Sequence, residues 1–293
     1  MKLYKILFKI SIYISIKFFH LRLPLPYVFY NFLYKKLILN TKNHNDSILN
    51  FDRKGFSKLD IDFAEIINKY NIKHSKIKEE KFNNHRTYFF LENKYKKLFQ
   101  IDLIKRINPI IKELESYYNL PIYLLNFKAF RIEYFNNAED KDLELYANKF
   151  HNDGYVMNFF KVFVNLEDVT DKDGPLHLIS KEDTKKFIQS SKYRNRDNYN
   201  SEFDKSIVFK NTGKKGSSLI FSPSLCFHKA GVPEKCRDMI QLVFAALPLD
   251  KKKLPNEKID IFDENNEFIS STKPFGFFKS MEFFVKNFKF KIA

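Results

Sequence analysis

The chain changes texture at Pro121. Beyond it, short runs rich in Phe, Tyr, Val and Ile follow one another, separated by turn-forming residues. They cover 122–127, 129–135, 143–150, 158–166, 174–180, 206–210, 217–222, 225–230 and 239–247. A run this short buries only part of one sheet face. Many of them in series predict a β sandwich or barrel. Before Pro121 the pattern is helical. Leu103, Ile104, Ile107, Ile110, Ile111 and Leu114 recur at spacings of three and four, which predicts a helix over roughly 98–118. The stretch from Asp60 to Tyr70 reads the same way. Helices set apart from strands define an α+β chain. The expected organisation is a basic amphipathic segment over 1–40, a helical part over 41–120 packed on the core, a β core over 121–250 and a C-terminal tail over 251–293. The polar stretch 181–205 reads as a long loop or lid between strands.

Composition removes several classes. With 44% hydrophobic residues and only 7 Gly and 10 Pro, the chain is neither disordered nor collagenous. Two cysteines without a C-x-x-C pair exclude a disulfide scaffold and a Cys-based zinc site, and point to reduced thiols in the cytoplasm. The net charge of +16 gives a positive surface field that suits nucleic acid, an anionic membrane or an acidic small molecule. It equally suits a composition rich in Lys, Asn, Ile and Phe. No zinc-finger spacing, RNA-binding signature or basic region followed by heptads is present, so no nucleic-acid partner is expected.

The first 23 residues contain no apolar run of the roughly 18–20 residues that a spanning helix needs. Lys2, Lys5, Lys9 and Lys17 interrupt it and fall with Tyr13 on one side of a helix. Leu3, Ile6, Leu7, Phe8, Ile10, Ile14 and Phe18 cover much of the rest. Such a helix either lies on an anionic membrane, here the inner membrane surface, or packs on its own protein.

Within the β region stand His151, Asp153, His228 and Arg237. A His and an Asp two apart at a strand end aim at one point, and a second His on the same interior completes two imidazoles and a carboxylate. That is the facial set of non-haem Fe(II) oxygenases, which leaves metal positions open. A 2-oxoglutarate cosubstrate fills two of them, and its far carboxylate requires a fixed cation. An Arg fork meets a carboxylate bidentately where a Lys does not. Arg237, nine residues after His228, is the candidate for that cation.

Residues 150–180 and the distal half from Gly216 resemble the phytanoyl-CoA dioxygenase family. The matching features are His151 and Asp153, the strand ending Leu166-Glu167-Asp168-Val169-Thr170, and the turn Asp173-Gly174-Pro175-Leu176. The stretch Gly216 to Phe221, leading to His228 and Arg237, completes the set. The resemblance covers roughly residues 120–250. It implies a double-stranded β-helix (jelly-roll, cupin-like) core and an Fe(II)- and 2-oxoglutarate-dependent dioxygenase, a hydroxylase. It implies His151, Asp153 and His228 as metal ligands and Arg237 as the cosubstrate anchor. By family topology, Arg131 and Tyr134 contact the cosubstrate as well. The chain departs from the family at Ile179-Ser180-Lys181-Glu182-Asp183, where Pro-Gly-Ser-His usually stands, and at Ala230, where a small hydroxyl residue is usual. The expected substrate is an anionic or membrane-associated small molecule. The competing readings are a non-catalytic membrane-surface module on a degenerate β-helix and a cupin-like metal enzyme without 2-oxoglutarate.

Overall fold

A computed structural model describes residues 2–19, 25, 28, 44–71, 77–79, 86–89, 93–120, 122–134, 148–153, 159–190 and 203–246. The tail 251–293, most of the 143–150 run and most of the 20–43 segment lie outside the described residues. Among the described residues, the α-helices with defined bounds are α1 (Lys2–Ile14), α2 (Asp46–Lys54), α3 (Ala64–Tyr70), α4 (Asn93–Tyr118) and α5 (Lys181–Gln189). A π-helical turn, Ser15–Phe19, continues α1 and packs against α5. The strands are β1 (Phe56–Leu59), β2 (Ile77–Glu79), β3 (Arg86–Phe89), β4 (Ile122–Glu133), β5 (Phe159–Asn165), β6 (Leu176–Ile179), β7 (Val208–Lys210), β8 (Ser218–Phe221), β9 (His228–Ala230) and β10 (Cys236–Ala246).

Local chemistry sets the helix ends. The Asn45 side chain accepts from the Ile48 N–H to start α2, and Gly55, at φ 82°, stops it. Asn119 takes the left-handed conformation just past α4, at φ 51°. The stretch beginning at residue 181, expected as loop, starts instead with α5. Its signal was in the sequence: Ser180 Oγ accepts from the Asp183 N–H at 3.1 Å and donates to the Asp183 carboxylate at 2.7 Å. A hydroxyl residue three before an acidic one marks a helix start. The runs expected as separate strands at 122–127 and 129–135 form the single strand β4.

Among the described residues the strands form two antiparallel sheets, one of seven strands in the order β1-β8-β5-β10-β4-β3-β2 and one of three in the order β7-β6-β9. Alternation along each strand sends side chains to opposite faces. On the outer face of the large sheet, Ala129, Val162, Val164, Ile220, Ile240 and Leu242 join residues of α2, α3 and α4 in one core. On the inner face, Phe130, Ile132, Phe163, Leu219, Phe221 and Met239 meet Leu176 and Leu178 of the small sheet. The two sheets therefore pack face to face, and the helices cover the large sheet from outside. The inner face is where the candidate centre lies.

Candidate metal centre

His151 and His228 pair across an isolated antiparallel bridge. The His151 N–H donates to the His228 carbonyl at 3.0 Å, and the His228 N–H donates back at 2.8 Å. Residues exchanging both bonds stand directly opposite and project to the same side. Their ring centroids are 4.3 Å apart. Each ring has its Nδ1 against a backbone carbonyl, Lys149 at 2.9 Å for His151 and Cys226 at 3.1 Å for His228. A carbonyl only accepts, so Nδ1 carries the proton in both rings and each Nε2 keeps a lone pair. Asp153 is fixed by its own N–H, which donates to the Pro223 carbonyl at 2.8 Å. Its Oδ1 lies 3.5 Å from His151 Nε2 and 3.7 Å from His228 Nε2. The three ligand atoms lie within 4.8 Å of one another. Two imidazole lone pairs and one carboxylate oxygen converging like this can hold a divalent metal ion.

The charges of the centre are tuned to that state. Burial alone works against ionisation of Asp153. The Lys161 ammonium, 2.6 Å from Oδ2, outweighs it and holds the carboxyl well below its ordinary range. Burial pushes the His228 imidazole down to about 3, against a smaller opposing pull from Asp153. The ring is therefore neutral, as a metal ligand must be. Phe221 lines the centre, its ring 5.2 Å from that of His228 and set edge-on, and Phe163 packs edge-on to Phe221.

Arg237 is 3% exposed and stands opposite Ile132, which places it on the inner face. Its Nη1 donates to the Gly174 carbonyl. Gly174 has φ 60°, and a Cβ there would come within 2.4 Å of the Pro233 nitrogen, so only glycine brings that carbonyl in. Gly174 lies four residues before Leu178, the partner of His228. Arg237 thus reaches the interior just beyond the N-terminal end of β6.

The structure does not bring the other two expected cosubstrate contacts to the centre. Arg131 has the opposite parity to Ile132, so it lies on the outer face, where Nε and Nη2 grip both oxygens of Asp238 at 2.7 and 2.9 Å. Tyr134 follows the end of β4 and is 55% exposed. His177 faces away from Leu176 and Leu178, standing between Lys210 and Lys229 of the neighbouring strands. Burial first, then those lysines, lower its pKa to about 4. Cys226 is fully buried in the inner apolar cluster, and burial pushes its thiol up.

Lys161 is the residue of the centre that sequence reasoning did not single out. The signal was present as one charged residue inside the apolar run FFKVFVN.

No protein-family model matches the chain, and no curated protein matches it in sequence. Among solved structures it resembles HygX from Streptomyces hygroscopicus with nickel, 2-oxoglutarate and hygromycin B bound. That likeness has 13% identity, covers 70% of this chain and 88% of the other, and has a TM-score of 0.47. The non-heme alpha ketoglutarate dependent epimerase SnoN from nogalamycin biosynthesis gives 14%, 68%, 82% and 0.43. EctD from S. alaskensis with 2-oxoglutarate and 5-hydroxyectoine gives 16%, 71%, 80% and 0.41.

Proposed function

We propose that the chain is an Fe(II)- and 2-oxoglutarate-dependent dioxygenase, a hydroxylase of the phytanoyl-CoA dioxygenase type. The convergence of both Nε2 lone pairs with one oxygen of Asp153 carries this reading. The two sheets packed face to face, with the donors inside, support a double-stranded β-helix core. His151, Asp153 and His228 would hold Fe(II), and Arg237 would hold the far carboxylate of the cosubstrate. Iron with 2-oxoglutarate and dioxygen supplies the oxidising power for C–H hydroxylation, which side chains lack. The chain's own residues fix two tautomers, keep the carboxylate ionised and dry the interior with Phe163 and Phe221. Arg237 favours this reading over a cupin-like enzyme without 2-oxoglutarate, because such an enzyme has no use for a buried guanidinium on the inner face. Incubation with Fe(II), 2-oxoglutarate and air tests it: succinate should form, and succinate no higher than a metal-free control from iron-loaded protein would remove the activity.

The substrate in this reading is acidic, matching the net charge of +16, and is met at an anionic membrane surface. Leu3, Ile6, Leu7, Ile10 and Phe18 are 49–73% exposed on α1 and its π-helical extension. Positions 2, 5 and 9, all lysine, border that apolar stripe in helical phase, and Lys17 is exposed. Among the described residues no helix is long and apolar enough to cross a membrane. An apolar stripe edged by lysines suits a helix lying in an anionic interface. The full chain should sediment with vesicles containing phosphatidylserine and not with neutral ones, and Ile6→Asp with Ile10→Asp should release it. Equal recovery with both vesicle types, or none with either, contradicts the membrane element.

A further inference from the structure

Lys161 sits in β5, opposite Phe221 on one side and Val243 on the other, on the same face as Phe163. Its side chain is 13% exposed. A lysine buried this far is uncommon unless it is paired. Its partner is no ordinary surface acid but the carboxylate of the candidate metal centre. The ammonium lies 2.6 Å from Asp153 Oδ2, while Oδ1 faces the two histidines. The carboxylate is thereby divided, one oxygen for the cation and one for the imidazole side.

We infer that Lys161 is a positioning residue that restricts Asp153 to one ligating oxygen, trading affinity for the metal against affinity for anionic ligands at the same centre. This rests on the oxygenase reading and deepens it toward the class of ligand the centre accepts. The geometry supplies the first half. A carboxylate with both oxygens available can take two positions on a metal, which with two imidazoles would occupy four. An ammonium on Oδ2 keeps the protein's share at three and leaves a face for exogenous ligands. Charge supplies the second half. With neutral imidazoles, a divalent ion and Asp153 leave the centre with a net single positive charge, and Lys161 adds another. A positive charge a few ångströms away repels an incoming cation and attracts an incoming anion. The centre therefore selects dianions, of which 2-oxoglutarate is one, over neutral molecules.

The other buried cation on this face acts elsewhere. Arg237 and Val243 are six residues apart on β10, which separates Arg237 from the Lys161 position by about 20 Å along the strand. One anion anchor lies deep in the interior, and one cation stands beside the metal position.

The opposed signs make the test specific. Co(II) is titrated into metal-free protein and followed by its d–d absorption, then 2-oxoglutarate is titrated into the Co(II)-loaded protein. Lys161→Met should bind Co(II) roughly tenfold or more tightly, and 2-oxoglutarate roughly tenfold or more weakly, than the wild type. Lys161→Arg keeps the charge and offers a fork that competes for both oxygens, so its Co(II) affinity should stay at or below wild type. A residue needed only for folding would lower both affinities together in Lys161→Met. That result, or two unchanged affinities, overturns the inference while leaving the oxygenase reading standing. If Lys161→Met does not fold, the Arg variant decides, and a tenfold rise in its Co(II) affinity overturns the inference. Absence of Co(II) binding by the wild type overturns both.

Discussion

Asp238 gives both carboxylate oxygens to one partner, Arg131, on the outer face of the large sheet. Asp153 divides its oxygens between Lys161 and a pair of imidazoles on the inner side. The Asp238 side chain is 2% exposed and that of Asp153 is 20% exposed. The hydrogen bonds that Arg131 donates to Asp238 raise its guanidinium above the ordinary range, which burial alone would oppose. The first pair is closed, with geometry satisfied by the fork of a single arginine. The second is open, because a lysine is a point charge that saturates one oxygen and leaves the other aimed at lone pairs that repel it. An open carboxylate beside two unprotonated Nε2 atoms is satisfied only by a cation. The difference separates structure from site.

The largest effect that would break this comparison is at Asp153. Asp153→Ala should abolish retention of Fe(II), read as metal per chain after desalting, because two imidazoles alone hold Fe(II) poorly against other divalent ions. Full iron occupancy in that variant would place the centre elsewhere. At Asp238 the expected loss is of stability. Asp238→Ala leaves Arg131 without the carboxylate it grips and should cost about 3 kcal/mol in denaturant unfolding, the low end for a broken buried pair because Arg131 is part exposed. Iron content of the folded fraction should stay at the wild-type level. Loss of iron at this position would erase the distinction between the two pairs.

Arg237 sharpens the account further inside. A hydrogen bond to a charged group contributes about 1.5–3 kcal/mol. Arg237→Ala should therefore raise the 2-oxoglutarate KM by roughly 10- to 150-fold, with normal iron content and a smaller drop in kcat. Arg237→Lys should restore little, since an ammonium does not reproduce the fork. A fall in iron, turnover and thermal stability together would mark Arg237 as structural.

The smallest effect is a pH slope. The native His177 pKa is lowered to about 4, chiefly by burial and then by Lys229, Lys210 and Arg237, against an ordinary value of 6.5. Below pH 6.5 the unfolded chain therefore takes up a proton that the native protein refuses until about pH 4. Stability falls as pH falls through that window. His177→Gln should flatten the dependence of Tm on pH between about 6.5 and 4, leaving the share due to His228. An unchanged slope would show that His177 is not held neutral.

Much of the candidate centre is legible in the residue types alone, and for a physical reason. His151, Asp153 and His228 carry their chemistry in residue type, and a β context brings such residues together through strand pairing alone. The parts that escaped depend on which face a strand turns inward. Arg131 and Arg237 sit on paired strands at positions one register step apart, so one faces the helices and the other the interior. The 122–127 and 129–135 runs gave no turn to fix that parity. Lys161 escaped because a single lysine in an apolar run is ordinarily an outward residue. Here its alternation with Val162, which belongs to the outer core, sends it in. The helix α5 escaped because its composition is that of a loop, while its cap rests on two residues, Ser180 and Asp183.

The proposed centre of His151, Asp153 and His228 would hold iron and, with Arg237, a dicarboxylate. Anaerobic titration of Fe(II) and then 2-oxoglutarate into the metal-free protein, followed by visible absorption, tests it most directly. The account predicts about one iron per chain, followed by a charge-transfer band that grows in with 2-oxoglutarate. The band should be lost in Asp153→Ala and shifted to much higher 2-oxoglutarate concentrations in Arg237→Ala. Iron that binds without such a band, or a band that persists in Asp153→Ala, would contradict it.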